Sequence, residues 1–377
     1  MPDRYRIIDT TLREGEQAPG LSFTLTEKKA IVAGLVRVGI AEIEAGIASP
    51  MVPYLAELVA SCRALHPGLA ISLWGRCRGE DIACAADIRP DILSLSIPVS
   101  DLHLEKRLGK NRDWARRSML AAISEAKQLG LRVAVGFEDA SRAERSFLVE
   151  MATAAHLQGA ERLRLADTVG ICSPAQMVEL VGLLKQQVPN CELAVHTHND
   201  FGMASANAIA ALEAGAGWAD ATILGLGERT GCARLEELVG YFGLTNRDSS
   251  LAPEYLRQLA GYVAERAAVW IEASRPVIGE RIFTCETGLH VQGLQRDPRT
   301  YEPYPPERVG AERRLLFGAK SGRRAIGDCL ARFGLSLSDA QRHEQTVTLR
   351  AASLLSGQSL AAEDLLAMVG KPVELPG

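Results

Sequence analysis

Short runs of aliphatic and β-branched residues alternate with longer amphipathic segments from the first residues to about position 245. Apolar residues in the longer segments recur three or four positions apart, which is typical of helices that bury one face. A Gly or a Pro closes many of these segments. The short runs predict strands: RIIDTT (6–11), EIEAGI (42–47), AISLWGRC (70–77), DILSLSIP (91–98), RVAVGFED (132–139), RLRLADT (162–168), ELAVHTH (192–198) and ADATILGLGE (219–228).

Eight consecutive strand–helix pairs favour an α/β fold closed into a (β/α)8 TIM barrel. A dinucleotide-binding sheet would carry G-x-G-x-x-G after its first strand, whereas this chain has LREGEQAPG (12–20) there. After residue 250 the pattern changes to a helix, a stretch rich in Pro, Gly and Arg, and short helical segments. We therefore predict a catalytic TIM barrel over residues 1–250. Residues 251–377 should form a linker or arm and a smaller, mainly helical C-terminal subdomain.

The composition is that of an ordinary globular enzyme, with 47% hydrophobic and 23% charged residues and a formal net charge of −4. This balance gives no electrostatic reason to expect nucleic acid or an anionic membrane as a partner. The N-terminus lacks the apolar core of a signal peptide, and no run approaches the roughly 18 apolar residues of a membrane span. Eight scattered cysteines without C-x-x-C spacing indicate a reducing compartment. We expect a cytoplasmic protein.

Charged and polar residues gather where five of the predicted strands end, the face of a barrel that carries active sites. They are residues 9–14, Glu138 and Asp139, Asp167 and Thr168, residues 196–200, and Glu228 and Arg229. His196 and His198 are two positions apart on a strand, so both side chains face the same side and can reach one point. Imidazoles suit Zn, Mn, Fe or Co, and a carboxylate would complete a mixed site. Spacing alone leaves a hydrogen-bonded histidine pair as the alternative.

Several motifs together are far more specific than the histidine pair. They are DTTLREGEQAPG (9–20), EDASRAE (138–144), LRLADTVG (163–170), HTHNDFGMASANAIAALEAGA (196–216), GLGERTG (225–231) and ETGLHVQGLQRDPRTY (286–301). The chain resembles the metal-dependent Claisen-condensing barrel enzymes, a family that holds isopropylmalate, citramalate and homocitrate synthases. Residues 96–115 and the segment GFEDASRA (136–143) most resemble the homocitrate synthases of nitrogen fixation.

The resemblance implies a metal site and an acceptor site. Glu14, His196 and His198 would bind one divalent metal, which could be Mg, Mn, Co or Zn. The metal would act as a Lewis acid on a 2-oxo acid that chelates it. Arg13 would add a fixed positive charge for a carboxylate or alkoxide, and Gln17 would hydrogen-bond the oxo acid. The same hydrogen-bonding role falls to Thr168.

The second substrate implied by the resemblance is acetyl-CoA, whose methyl group must lose a proton to a general base. His290, with Tyr301 and Glu138, matches the base and proton-relay positions of the family. In the family the segment that carries this histidine comes from the neighbouring subunit. The resemblance therefore implies a homodimer with an active site shared between subunits.

The leading expectation is an acyltransferase that condenses acetyl-CoA with 2-oxoglutarate to give homocitrate and CoA. The same chemistry on 2-oxoisovalerate or pyruvate, a metal-dependent acyl-CoA lyase, and a non-catalytic relative remain alternatives. Four departures from the family pattern cluster around the condensing half of the site: Leu224, Cys232, Cys285 and Ala319-Lys320. Cys232 stands where many relatives carry an asparagine ligand, so its thiolate would either bind the metal or only fill space.

Overall fold

The structure, a computed structural model, describes residues 5–368 and confirms the predicted barrel. Eight parallel strands pair in chain order, and β1 closes the barrel on β8. The strands are β1 Arg6–Asp9, β2 Glu42–Ile47, β3 Ala70–Arg76, β4 Ile92–Pro98, β5 Val133–Glu138, β6 Arg162–Asp167, β7 Glu192–Thr197 and β8 Trp218–Ala221. Each of the first seven therefore begins and ends within one or two residues of the run that predicted it.

Helices follow the strands as the spacing of apolar residues predicts. In the barrel they are α1 Leu25–Val38, α2 Leu55–Leu65, α3 Gly79–Ile88, α4 Arg112–Gln128, α5 Arg145–Gln158, α6 Pro174–Gln187, α7 Ala204–Glu213 and α8 Leu235–Leu244, and α9 Leu256–Ala267 follows them. Local signals set their ends. Thr24 and Glu27 form a capping box at the start of α1, and Gly39 ends that helix in the left-handed conformation.

The eighth strand is shorter than its sequence run, which extends to residue 228. It stops at Ala221 because the chain turns into a single 3-10 turn over Ile223–Gly225. The Thr222 hydroxyl donates to the Leu226 carbonyl at 2.6 Å and thereby holds the turn closed. Within the turn Leu224 adopts φ +63°, which ends the extended conformation. The motif GLGERTG is thus a loop at the mouth of the barrel and not part of its wall.

The interior of the barrel contains charged side chains in place of the branched apolar ones usual in this fold. Glu42 and Glu44 of β2 and Arg162 and Arg164 of β6 all point inward and are buried. Arg162 donates to both oxygens of Glu42 at 2.7 and 2.8 Å, and Arg164 donates to Glu44 at 2.8 Å. Charges this deep are tolerated only when paired. Two layers of ion pairs therefore cross the barrel from β2 to β6.

The chain divides into two compact units between Ile271 and Glu272. The first contains the barrel and also α9, so it extends about 20 residues past position 250, where the sequence pattern changes. The second unit is mainly helical, as predicted, with α10 Gly288–Arg296, α11 Arg323–Arg332, α12 Asp339–Ser356 and α13 Ala362–Met368. Two short parallel strands, β9 Thr284–Cys285 and β10 Arg314–Leu315, accompany them. Residues 1–4 and 369–377, which the predicted domains include, lie outside the described residues.

Each unit has an apolar core of its own. In the second unit Val291, Phe317, Ile326, Leu330 and Leu349 pack together and are buried. All eight cysteines are unpaired thiols. Among residues 5–368 no helix combines the length and apolar character that crossing a membrane requires.

Candidate metal centre

Three predicted ligands meet at the mouth of the barrel. The ligand atoms of Glu14, His196 and His198 all lie within 4.8 Å of one another, and all three side chains are buried. Glu14 follows β1 in a tight turn, where the Thr10 carbonyl accepts from the Glu14 N–H at 2.7 Å. His196 lies in β7 and His198 one residue beyond it, so the two-residue period of the strand turns both rings inward.

The contact that each histidine makes at Nδ1 determines which ring nitrogen carries the lone pair. His196 Nδ1 lies 2.9 Å from Asp220 Oδ2, and His198 Nδ1 lies 3.3 Å from the Gly231 carbonyl. A carboxylate and a carbonyl can only accept, so the proton of each neutral ring is on Nδ1. Burial lowers the pKa of His198 to about 4, which keeps that ring neutral. When both rings are neutral, both Nε2 atoms present lone pairs.

The two lone pairs face one another, which fits a bound cation. His196 Nε2 and His198 Nε2 are 3.2 Å apart. Two nitrogens bound to one ion at 2.0–2.1 Å lie about 2.8–3.4 Å apart at 90–110°. Glu14 Oε1 is buried and has no hydrogen-bond partner in the described part of the chain. Without a cation these three acceptors would repel one another, so the residues fit a divalent metal held by two imidazoles and a carboxylate.

Arg13 stands beside the triad. Its guanidinium pairs with Glu14 through Nη1 and with Glu44 through Nε. Burial lowers the pKa of Arg13, but the charges of Glu44 and Glu14 raise it by a larger amount, so the pKa is above its ordinary value. Burial raises the pKa of Glu14, but nearby positive charge, that of Arg13 first, outweighs that effect and leaves the pKa below its usual range. Both groups are therefore charged, and the pairing of Arg13 with Glu14 lies at the predicted metal site.

A buried ionic network continues behind the triad, and the sequence analysis missed it. Arg164 Nε lies 3.2 Å from Asp220 Oδ2, the oxygen that accepts from His196. The same guanidinium donates through Nη1 to Glu44, which also contacts Arg13. The available signal was the alternation of charged and aliphatic residues in EIE (42–44) and RLR (162–164), which places the charges on one face of each strand.

Glu138 and Thr168 lie at neighbouring strand ends. Glu138 ends β5, where Ser96 donates to its Oε1 at 2.8 Å and Arg107 pairs with its other oxygen. Thr168 follows β6, and its Oγ1 accepts from the Asp139 N–H at 2.8 Å, which leaves the hydroxyl proton to donate elsewhere. Gln17 ends the 3-10 turn Gly15–Gln17 after β1, and its side chain is exposed.

The other two predicted catalytic residues lie together in the second unit. His290 is on α10, and Tyr301 follows a 3-10 turn at Pro298–Thr300. Their ring centroids are 4.2 Å apart and both residues are exposed. Gly293 makes the approach possible, because a Cβ at that position would lie 2.4 Å from the Tyr301 ring.

Comparison with known proteins identifies the family. A family model described as HMGL-like matches residues 4–263, the whole of the barrel. The chain belongs to the HMGL-like family. A second model, described as Homocitrate synthase post-HMGL domain-like, matches residues 277–354 in the C-terminal unit.

Relatives of this chain bear different enzyme names. The chain is 42% identical to a homocitrate synthase of Frankia alni over 87% of this chain and 93% of that protein. It is 38% identical to 2-isopropylmalate synthase 2 of Caldanaerobacter subterraneus over 89% of this chain and 87% of that protein. Among solved structures, the Bacillus subtilis HMG-CoA lyase matches with a TM-score of 0.63 and 19% identity, over 71% of this chain and 95% of that one. That likeness shows the fold alone.

Cys232, one of the departures from the family pattern, lies outside the cluster of metal-ligating atoms formed by the described residues. Its sulfur is 3.2 Å from Thr222 Oγ1 and 3.6 Å from the Leu226 carbonyl. Burial, and next the charge of Glu14, raise the pKa of this thiol far above its usual range. The sulfur thus packs against the turn after β8, which favours the space-filling role.

Proposed function

We propose that this protein is an acyltransferase that condenses acetyl-CoA with 2-oxoglutarate and hydrolyses the thioester, giving homocitrate and CoA. The observation that carries the proposal is the pair of histidine Nε2 atoms, 3.2 Å apart, beside an unpartnered Glu14 oxygen. These residues would hold a divalent metal, which would supply Lewis acidity to a 2-oxo acid. The relatives named homocitrate synthase supply the acceptor, 2-oxoglutarate.

Different side chains of the barrel have different roles in binding the oxo acid. When bound, the metal supplies Lewis acidity to the keto group. Glu14, His196 and His198 hold it, with Mg, Mn, Co and Zn as candidates. Arg13 presents a fixed positive charge where negative charge develops. Thr168 and Gln17 hydrogen-bond the oxo acid, and the hydroxyl of Thr168 has its proton available to donate.

We assign proton removal from acetyl-CoA to His290, with Tyr301 and Glu138 in the relay. The contact between the His290 and Tyr301 rings supports a shared role, since a phenol beside an imidazole can pass a proton to it. Both side chains are exposed and so accessible to a second chain. We propose a homodimer in which this pair serves the barrel of the partner subunit.

The cellular setting is also proposed. Residues 96–115 and 136–143 resemble enzymes of nitrogen fixation, which supports a place in that process. Eight unpaired thiols support a reducing, cytoplasmic environment.

The relative named 2-isopropylmalate synthase makes 2-oxoisovalerate the second candidate acceptor, since its identity of 38% is only four points below that of the Frankia enzyme. The test is thiol release from acetyl-CoA with 2-oxoglutarate, 2-oxoisovalerate, pyruvate and oxaloacetate, each with Mg, Mn, Co and Zn. Selective turnover of 2-oxoglutarate is expected. Preference for another acid would change the product but keep the chemistry. Failure with all four, in metal-loaded protein that binds an oxo acid, would contradict the proposal and leave a lyase or a non-catalytic relative.

A further inference from the structure

The two ion pairs inside the barrel look alike but have different surroundings. Arg162 donates both of its Nη atoms to Glu42 and stacks on Trp218, with its guanidinium carbon 4.6 Å from the ring centroid. Arg164, two residues along the same strand, contacts two different carboxylates. Its Nη1 donates to Glu44 at 2.8 Å and its Nε lies 3.2 Å from Asp220.

The two carboxylates that Arg164 contacts lead to two metal ligands. Asp220 Oδ2 is 2.9 Å from His196 Nδ1. Glu44 contacts Arg13, and Arg13 pairs with Glu14. Arg164 thus stands in the middle of a chain of contacts that runs from His196 to Glu14. It contacts neither of these two predicted ligands itself.

Asp220 faces both Arg164 and His196 with one oxygen, and its contact with Arg164 is an ion pair without hydrogen-bond geometry. Its Oδ1 is buried and has no hydrogen-bond partner in the described chain, so both of its polar contacts are made through Oδ2. If Arg164 were absent, the carboxylate would be held by His196 alone and could rotate. The partner behind a metal-binding histidine fixes both the tautomer and the ring orientation.

We propose that Arg164 is a positioning residue of the metal centre. It holds Asp220 against His196 and holds Glu44 against Arg13, so that the histidine and Glu14 are oriented before the metal binds. The inference rests on the metal site of the proposed function. It concerns metal affinity, which can be measured without either substrate.

The experiment compares Arg164→Met with Arg162→Met in the full-length chain. The dissociation constant of Co²⁺ is measured by calorimetry on metal-free protein, and the visible absorption of the bound Co²⁺ is recorded. Arg164→Met should weaken Co²⁺ binding about 10- to 100-fold, the usual effect of losing such an outer partner. Arg162→Met should bind Co²⁺ as wild type does. Arg162→Met leaves Glu42 buried without its partner, so it should destabilise the fold at least as much as Arg164→Met does. A loss of Co²⁺ binding caused only by destabilisation would therefore appear in the control as well.

Arg164→Lys keeps the charge and tests the geometry. A lysine ammonium lacks the planar fork that reaches two carboxylates at once. We expect an intermediate dissociation constant and a shifted Co²⁺ spectrum, which a merely structural role for the charge would not produce. This variant also replaces Arg164→Met in the comparison if the methionine variant does not fold.

Two results would overturn the inference. One is an unchanged Co²⁺ dissociation constant in the Arg164 variants, and the other is an equal loss in Arg162→Met. In either case a wild-type protein that binds Co²⁺ and turns over would leave the proposed function standing. A wild-type protein that binds no metal would contradict the metal centre itself, and with it both proposals.

Discussion

The metal triad in the barrel and the His290–Tyr301 pair in the C-terminal unit were inferred from motifs of the same family. They differ in burial and in the contacts that orient their side chains. The triad is buried, and hydrogen bonds or ion pairs orient each of its side chains. The pair is exposed, and its described contact is between its own two rings. The first is thus built to bind a ligand without rearrangement. The His290–Tyr301 pair, in contrast, is exposed, as expected of groups that act at the active site of a partner subunit.

The difference separates two kinds of functional residue. A side chain at the end of a barrel strand inherits its position from the pleat and from the barrel wall, so one fold places many such residues. A side chain on a short helix outside the barrel has only local packing to position it. Removal of a triad residue should therefore affect metal binding, whereas removal of a residue of the pair should affect turnover alone.

The largest effect is expected from Glu14→Gln. The variant loses the carboxylate charge that offsets Arg13 and completes the ligand set, so Co²⁺ binding should fail and turnover should drop at least about a thousandfold. Calorimetry with Co²⁺ and the thiol-release assay measure the two losses. Glu228→Gln, at an exposed carboxylate paired with Arg229 on the rim, is the matched control. Wild-type activity in Glu14→Gln would refute the metal assignment.

His290→Ala should separate turnover from metal binding, and so distinguish the role of the C-terminal unit from that of the barrel. Turnover should fall by about 10²- to 10⁴-fold, the contribution typical of a general base, while Co²⁺ and oxo-acid binding stay at wild-type levels. Binding is measured by calorimetry and turnover by thiol release. His343→Ala, an exposed histidine on α12 of the same unit, should change neither quantity. Equal loss of binding and turnover in His290→Ala would mean that the base is misplaced.

Mixed dimers test whether the pair serves a partner subunit. Glu14→Gln and His290→Ala chains are each inactive alone, but in a heterodimer one site of the two holds both intact residues. Activity should therefore recover to roughly half of wild type in purified heterodimers. Differently tagged chains, isolated by tandem affinity purification, provide the sample, and each homodimer carried through the same steps provides the control. Verified heterodimers that stay inactive would exclude a shared site.

The sequence predicted the barrel and its mouth more fully than its interior. Strand runs and the H-x-H spacing were sufficient because a period of two fixes which way side chains point. Arg164 and Asp220 were missed because an inward charge is identified by its partner on another strand, and pairing across the barrel depends on register. The eighth strand was overextended for a related reason. TILGLG (222–227) reads as extended, but Leu224 takes a positive φ that a leucine pattern does not predict.

The buried charges of the barrel should also make its stability depend on pH. Burial raises the pKa of Glu236, on α8, to about 7 from 4.5. Between these values the folded chain retains a proton that the unfolded chain has lost, so the free energy of unfolding falls as pH rises. Glu236→Gln cannot ionise. Its stability relative to wild type should rise from pH 5 to pH 8 by up to about 3 kcal/mol.

Urea unfolding at the two pH values measures this difference. Glu237→Gln makes the same substitution at a neighbouring carboxylate that pairs with Arg234 and is the control. The effect should be confined to the first unit, and hydrogen exchange followed by mass spectrometry can resolve the two units. A pH-independent difference between Glu236→Gln and wild type would show that Glu236 ionises normally in the folded state.

The smallest expected effect concerns the turn that shapes the mouth of the barrel. Leu224 has φ +63° and its N–H donates to Glu236 Oε2 at 3.0 Å, so the backbone is held in a conformation that strains a leucine by about 1–2 kcal/mol. Asparagine adopts this conformation more readily, and the side chain is only half-buried. Leu224→Asn should therefore raise the free energy of unfolding by about 1 kcal/mol.

Urea unfolding again provides the measurement. Leu102→Asn, at an exposed leucine with φ −58°, should bring no gain, because its backbone already lies in the ordinary helical region. Metal binding should be unchanged in Leu224→Asn, since the turn that holds Cys232 and Gly231 keeps its hydrogen bonds. If the variant is instead destabilised, packing of the leucine side chain outweighs the backbone strain.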